Sequence, residues 1–150
     1  MLETGAPLPN VGAEDDRGQR TTLAALGSGT SLVVYFYPRA DTPGCTNETI
    51  QLRDLNAEFV KAGAQVVGVS RDAVKAQAKF KEKYDVPFTL LADTDSAICD
   101  AFGVIVEKNM YGKKSLGIQR STFLIENGTV KKVWPKVSVA GHAAEVLSSL

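Results

Sequence analysis

Cys45 is the residue of this chain whose surroundings most favour chemistry. It follows the apolar run Leu32 to Tyr37 and the turn-forming stretch Pro38 to Gly44, and a helical pattern begins directly after it. A strand, a turn and a helix in that order place the thiol in the first helical turn, where unpaired backbone N–H groups and the helix dipole favour an anion. Because the thiolate is the nucleophilic form of cysteine, this placement predicts a reactive thiol.

Two residues are suited to cap this helix. With Thr42 as the N-cap, Pro43 takes the first helical position, where its missing N–H costs nothing, and Cys45 takes the third. Asp41 is an equally good cap, so the register stays open by one residue. Thr42 and Pro43 alone are an ordinary helix start. They indicate a functional site only because Cys45 follows Thr42 by three positions.

Other residue types with catalytic potential are sparse. Cys99 lies beside Ile98 and Phe102, which resemble core residues, and His142 is the only histidine. No cysteine or carboxylate constellation accompanies His142, which predicts an exposed or capping side chain rather than a catalytic one. The chain has no glycine-rich phosphate loop and too few Cys and His residues at ligand spacing for zinc. The sequence therefore predicts neither a cofactor nor a metal.

Composition and charge restrict the function classes further. A chain of 150 residues, 44% hydrophobic and 23% charged, fits one globular domain spanning 1–150. Seventeen basic and seventeen acidic residues cancel, which argues against nucleic-acid and membrane-surface partners. The stretch Met1 to Pro7 lacks a signal-like pattern, and no apolar run approaches the roughly 18 residues that span a bilayer. With only two cysteines, the prediction is a cytoplasmic protein in which any disulfide is transient.

Strand and helix patterns alternate through the first half of the chain. The predicted elements are a strand at Leu32 to Tyr37, a helix from Cys45 to Gly63, a strand at Gln65 to Ser70, and a helix from Asp72 to Tyr84 that stops before Pro87. This β-α-β-α order predicts a parallel sheet covered by helices.

The second half is less regular. Its predicted elements are a strand at Phe88 to Leu91, a helix at Ser96 to Phe102, an irregular stretch from Gly103 to Gly117, a hairpin of Thr122 to Ile125 and Thr129 to Trp134 around Asn127-Gly128, and a closing helix at about Ala140 to Leu150. Parallel β-α-β units followed by an antiparallel hairpin and a helix are the order of a thioredoxin-like α/β fold with insertions. The expected architecture is a central mixed sheet flanked by helices.

Pro38, Thr42 and Cys45 form a P-x-x-x-T-x-x-C pattern directly after a buried strand, and with it the chain resembles the peroxiredoxins. The run from Tyr35 to Thr46 is similar to the branch known as bacterioferritin comigratory protein, or PrxQ. The similarity covers nearly the whole chain in blocks that recur in order: Leu52-Arg53-Asp54, Gly68-Val69-Ser70, Leu90-Leu91-Ala92-Asp93, Ala101-Phe102-Gly103-Val104 and Arg120-Ser121-Thr122-Phe123-Leu124-Ile125.

The resemblance implies a thiol-dependent peroxidase that reduces hydrogen peroxide and organic hydroperoxides in antioxidant defence. Cys45 would attack the terminal peroxide oxygen and become a sulfenic acid. Arg120 would hold the thiolate and polarise the peroxide. Thr42 would hydrogen-bond the peroxide, and Pro38 would shield the site and fix the turn. Glu48 would be a favourable charge near the helix N-terminus, with at most a minor role in the site.

The recycling step departs from many members of that branch, which carry a second cysteine five residues after the first. In this chain that position is Ile50, and the next helix, near Lys79 and Phe80, has no cysteine either. Cys99 remains a candidate resolving thiol, although its core-like neighbours argue against it. A one-cysteine cycle is therefore favoured, with thioredoxin, glutaredoxin or a small thiol as reductant. A monomer is expected, because that branch is often monomeric and no extra C-terminal arm is present.

Two other functions compete with a peroxidase at the level of sequence, and the second of them stays open. A thiol-disulfide oxidoreductase would need a C-x-x-C pair, and Glu48 as the third residue after Cys45 argues strongly against it. A redox sensor or chaperone-like module would share the first chemical step with a peroxidase. Such a module would react with peroxide once and stop.

Overall fold

The computed structural model describes residues 1–150 and has mixed α/β architecture. The strands are β1 (Gly12–Asp15), β2 (Arg20–Thr22), β3 (Ser31–Phe36), β4 (Ala64–Ser70), β5 (Thr89–Ala92), β6 (Ile105–Met110), β7 (Lys113–Ile118), β8 (Ser121–Glu126) and β9 (Thr129–Trp134). The helices are α1 (Leu23–Leu26), α2 (Pro43–Asp54), α3 (Asn56–Lys61), α4 (Val74–Tyr84), α5 (Ala97–Phe102) and α6 (His142–Ser148).

Seven strands form one sheet in the order β2-β1-β5-β4-β3-β8-β9. The three central strands β3, β4 and β5 are parallel, and the strands that flank them pair antiparallel. Central parallel strands are buried on both faces, which explains the continuous apolar runs in β3 and β4. The predicted mixed sheet of a thioredoxin-like fold is confirmed.

Alternate residues of β3 separate two hydrophobic cores. Leu32, Val34 and Phe36 point to one face of the sheet, where they pack with α5. Val33 and Tyr35 point to the other face, where the core also holds apolar residues of α2, α3, α4 and α6. This division follows from the two-residue period of a strand, and it decides which side chains of the protein can meet.

Several element boundaries differ from the sequence prediction. The predicted helix from Cys45 to Gly63 is two helices, because the chain leaves helical geometry at Leu55, between α2 and α3. The stretch predicted to be irregular holds the hairpin β6–β7, which forms a separate two-stranded sheet. Its strands are largely exposed, so they lack the apolar alternation that marks a half-buried strand.

The hairpin predicted around Asn127-Gly128 is present. Both turn residues have positive φ, as a two-residue turn of this kind requires. Tyr111 and Gly112 have the same conformation at the tip of β6–β7, where the sequence signal is weaker because tyrosine rarely adopts it. None of the helices is both long and apolar enough to cross a lipid bilayer.

Candidate active site

Cys45 is the third residue of α2. Thr42 is the N-cap and has an extended backbone, and Pro43 follows at the first helical position. The backbone N–H groups of Gly44 and Cys45 donate no hydrogen bond within the protein, since the first bond of this turn runs from the Thr46 N–H to the Thr42 carbonyl. These free donors surround a thiol that is only 1% exposed. Free N–H donors at a helix N-terminus favour an anion, and the reactivity of Cys45 itself stays a prediction.

Arg120 lies directly before β8 and contacts the thiol. Because β8 pairs with β3 so that Ser121 lies opposite Phe36, Arg120 reaches the end of β3 from which the turn to α2 starts. Its Nη2 donates to Sγ of Cys45 at 3.3 Å. The Arg120 carbonyl accepts from the Val137 N–H at 2.9 Å, which helps to fix this segment. A cation beside the sulfur favours the thiolate.

Gly44 leaves space for this contact. A Cβ atom at Gly44 would lie 3.1 Å from Nη2 of Arg120, a tight separation that a shift of the guanidinium would have to relieve. The glycine before the nucleophile therefore makes room for the cation, which the sequence did not reveal.

Glu48 is the second anionic partner of Arg120. Its Oε1 accepts from Nη1 at 2.9 Å, the side chain is buried, and Oε2 has no hydrogen-bond partner. Burial raises the pKa of Glu48 from 4.5 to about 7, and Arg120 offsets only part of that effect. Glu48 lies one turn after Cys45 and shares Arg120 with it, and its role in the site stays a prediction.

A polar network holds the turn that precedes α2. The Ala40 N–H donates to the Asp72 carboxylate at 2.8 Å, and the Ser70 hydroxyl donates to the same oxygen at 2.6 Å. Gln77 donates to the Ser70 hydroxyl and accepts from the Tyr37 hydroxyl, so the residue that follows β3 and the end of β4 are both linked to α4. From the sequence, Asp72 is predicted only to begin a helix, and no local pattern indicates that its carboxylate holds this turn.

Asp41 links the same turn to α4 through exposed side-chain bonds. Its carboxylate accepts from Nζ of Lys83 at 2.9 Å and from the Tyr84 hydroxyl at 2.7 Å. These bonds lower the pKa of Asp41. The Asp41 backbone has φ of 58°, a left-handed conformation in which a non-glycine residue is strained. Asp41 is therefore not the helix cap, and the register with Thr42 as N-cap is confirmed.

Thr42 and Pro38 form no hydrogen bond to the thiol. The Thr42 hydroxyl donates to the Arg39 carbonyl at 2.8 Å, which leaves its oxygen free to accept a second bond. Pro38 is exposed at the start of the turn. The roles expected of both residues toward a peroxide stay predictions.

Cys99 lies far from this arrangement in the fold. It is fully buried in the core on the α5 face of the sheet, whereas Cys45 belongs to the core on the opposite face. Burial and the neighbouring Asp93 raise the pKa of the Cys99 thiol, which disfavours its nucleophilic thiolate form. The Asp93 carboxylate accepts from the Ile98 and Cys99 N–H groups and so fixes the start of α5. Both cysteines are free thiols.

His142 is not exposed, contrary to the sequence prediction. It is buried at the start of α6, and its Nε2 lies 2.8 Å from the Thr122 hydroxyl of β8. Burial lowers the pKa of His142. The imidazole docks α6 on the sheet, which a short sequence segment cannot reveal because Thr122 lies 20 residues away. No group of three or more His, Cys, Asp or Glu side chains is arranged to hold a metal ion.

Comparison with known proteins shows the family to which this chain belongs. Residues 4–133 match the AhpC/TSA family. The chain is 48% identical over 150 residues to a putative peroxiredoxin Bcp of Coxiella burnetii, with 99% of each chain covered. It is 39% identical over 150 residues to peroxiredoxin Bcp of Escherichia coli K12, with 99% of this chain and 96% of the other covered.

Solved structures agree with the sequence matches. Peroxiredoxin Q of Xanthomonas campestris superposes with a TM-score of 0.88 at 48% identity, covering 95% of this chain and 94% of that one. Peroxidoxin BcpB of Mycobacterium tuberculosis gives a TM-score of 0.88 at 34% identity, covering 99% and 96%. Matches of this extent define a thiol-dependent peroxidase on a thioredoxin-like sheet. The chain belongs to the AhpC/TSA family, and its relatives within it are the Bcp or PrxQ peroxiredoxins.

Proposed function

We propose that Cys45 is the peroxidatic cysteine and that Arg120, Thr42, Pro38 and Glu48 complete its site. The observation that carries the proposal is the hydrogen bond from Arg120 to Cys45 Sγ at the N-terminus of α2. One guanidinium can stabilise the thiolate and, with a further N–H, the peroxide oxygen that becomes negative during attack.

The reaction follows from this arrangement. The thiolate attacks the terminal oxygen of ROOH, so that an S–O bond forms while the O–O bond breaks. Cys45 becomes a sulfenic acid, and the departing alkoxide takes a proton from water. The unpaired N–H groups of Gly44 and Cys45 and the Thr42 hydroxyl are the further polar groups available to orient the peroxide.

The substrates proposed are hydrogen peroxide and organic hydroperoxides. The bacterioferritin comigratory protein of Xanthomonas campestris has been described in terms of its alkyl peroxide reduction activity. In this chain, the thiol lies under a nearly closed surface, which admits a small terminal –OOH group more readily than a bulky centre. Antioxidant defence is the corresponding role.

A one-cysteine cycle is proposed for recycling. Ile50 occupies the position of the nearby second cysteine found in many members of the branch, and Cys99 is separated from Cys45 by the sheet. An external thiol would condense with the sulfenic acid, releasing water and forming a mixed disulfide, and a second thiol would release Cys45 by exchange. Thioredoxin, glutaredoxin or a small thiol would serve, and the expected form is a cytoplasmic monomer with a single domain, 1–150.

The test is mass spectrometry without reductant after one equivalent of peroxide, on the parent, Cys45→Ser and Cys99→Ser. We expect a sulfenic acid on Cys45, trapped by a 1,3-diketone, and continued turnover with an added thiol in Cys99→Ser. Cys45→Ser should be inactive. A Cys45–Cys99 disulfide with loss of turnover in Cys99→Ser would contradict the one-cysteine cycle, and an unreacted Cys45 in the parent would contradict its proposed role.

A further inference from the structure

The backbone of Arg120 lies just outside the sheet. β8 begins at Ser121, which pairs with Phe36, the last residue of β3, so the strand pairing starts one residue after Arg120. Gln119 and Arg120 form the short connection between β7 and β8. A guanidinium on a long side chain keeps one particular contact only when its backbone is fixed. The position of Arg120 therefore depends on contacts from outside the strand ladder.

A loop between β9 and α6, residues 135–141, supplies such a contact. The Val137 N–H donates to the Arg120 carbonyl at 2.9 Å, and this is the one hydrogen bond that joins the loop to the segment carrying Arg120. Val137 is partly buried against the core that contains Cys45, whereas most of the loop is exposed. The place of Val137 is therefore set by how the two ends of the loop are fixed.

The two ends of the 135–141 loop meet at Thr122. Trp134, the last residue of β9, lies opposite Thr122 in the pairing of β8 with β9. His142, the first residue of α6, has its Nε2 2.8 Å from the Thr122 hydroxyl. The rings of Trp134 and His142 are in edge-to-face contact, with their centroids 5.8 Å apart. These buried side chains close the loop.

The helix that begins at His142 also reaches the nucleophile from the other side. α6 packs against α2, and its buried apolar residues lie in the same core as Cys45. The start of α6 is thus joined to both partners of the Arg120–Cys45 contact, to the Arg120 backbone through the loop and to Cys45 through α2. Release of His142 from Thr122 would loosen this arrangement at the point where it closes.

We propose that His142 is a positioning residue of the Cys45 site, whose bond to Thr122 closes the 135–141 loop and so holds the Arg120 backbone where the guanidinium contacts the thiol. The imidazole acts through Val137 and Arg120 and not on the sulfur itself. For its effect on the reaction rate, this inference rests on Cys45 being the reacting thiol.

The first measurement is amide hydrogen exchange at Val137, followed by NMR. Thr122→Val removes the hydroxyl and keeps the shape of the side chain, whereas Thr122→Ser keeps the hydroxyl. We expect exchange at Val137 to be about fivefold faster in Thr122→Val, the effect of losing one hydrogen bond that closes the loop, and to be unchanged in Thr122→Ser. Thr129→Val replaces an exposed threonine at the other end of the same hairpin, and this control should match the parent.

The second measurement is the single-turnover rate at which hydrogen peroxide oxidises Cys45, followed by quenching and mass spectrometry. Because a displaced Arg120 stabilises the reacting groups less well, we expect a roughly threefold to tenfold slower reaction in Thr122→Val and recovery in Thr122→Ser. In an Arg120→Met background, Thr122→Val should cause no further loss, because the effect passes through Arg120. His142→Leu breaks the same bond from the other side and should repeat both results of Thr122→Val.

Exchange at Val137 that is the same in Thr122→Val and Thr129→Val would overturn the proposal, and so would equal slowing with and without Arg120. Faster exchange together with an unchanged rate, in a protein whose Cys45 reacts, would overturn it as well. If Cys45 of the parent does not react with peroxide, the peroxidatic role fails by itself. Faster exchange at Val137 in Thr122→Val and His142→Leu would then still support the hold of His142 on the Arg120 backbone.

Discussion

Arg120 serves two acidic groups at once, the Cys45 thiol and the Glu48 carboxyl. A buried carboxylate beside the thiolate adds negative charge to the site, and Arg120 must offset both. Because the pKa of Glu48 is about 7, its charge changes near neutral pH. When Glu48 is protonated, more of the Arg120 charge acts on the thiolate, so the electrostatics of the nucleophile depend on a residue that does not touch it.

The titration of Glu48 predicts how stability depends on pH. The pKa of Glu48 is raised from 4.5 to about 7 on folding, so the folded state binds this proton more tightly. The resulting stabilisation is present below pH 4.5 and is lost as the pH rises to 7, at up to about 1.4 kcal/mol per pH unit. We expect urea unfolding of Glu48→Gln to lack this fall.

The comparison at each pH isolates Glu48. The lowered pKa of His142 acts in the opposite direction. Its contribution to the stability of the folded protein is present above the ordinary value of 6.5 and is lost as the pH falls below it. Its contribution is shared by parent and variant and cancels in their difference. Parallel stability curves for parent and Glu48→Gln between pH 4.5 and 7 would show that Glu48 is not held in a raised-pKa environment.

At the scale of elements, the turn between β3 and α2 determines where the thiol lies. Asp72 holds it from the end of β4, and Asp41 holds it from α4. The Asp72 bonds are partly buried and linked to Gln77, whereas the Asp41 bonds are exposed. Exposed ion pairs contribute little to stability, so the Asp41 bonds hold the turn less strongly than the Asp72 bonds. Opening of this turn should therefore begin at Asp41.

Asp41→Gly tests the contribution of the Asp41 side-chain bonds without adding backbone strain, because glycine readily adopts a positive φ. We expect hydrogen exchange of the amides of residues 39–45 to accelerate by roughly threefold to tenfold, because the loss of the Asp41 bonds makes local opening of the turn easier. Asp85→Gly is the control, since Asp85 has φ of 51° and its carboxylate forms no such bonds. Equal exchange in the two variants would contradict the role of Asp41.

At the scale of the whole molecule, the sheet separates the two cysteines into different cores. Both thiols are buried, at 1% and 0% exposure, so burial alone does not distinguish them. Cys45 lies in the first turn of a helix that follows a surface turn, whereas Cys99 belongs to α5 and lies within the core of the other face. Opening of one turn exposes the first thiol, but the second requires disruption of the sheet or of α5.

Labelling of the two thiols at increasing urea concentration should therefore differ. We expect Cys45 to react below the unfolding transition at a rate nearly independent of urea, and Cys99 to react only in proportion to the globally unfolded fraction. Peptide-resolved mass spectrometry with a maleimide reagent measures both in one sample. Labelling of Cys99 in native buffer at the rate of Cys45 would contradict this separation.

The sequence alone determined those features that depend on neighbouring residues. The apolar run of β3, the turn and Pro43 place Cys45 in the first turn of α2, and Asn127-Gly128 defines a hairpin, because these signals act over a few residues. The resemblance to peroxiredoxins added Arg120 as a candidate. Only the tertiary structure decided that Arg120 contacts a thiol 75 residues away, that Glu48 and His142 are buried, and that β6 and β7 pair as a hairpin. These depend on strand pairing and on which face of the sheet each helix covers, and such long-range contacts leave no local pattern in the chain.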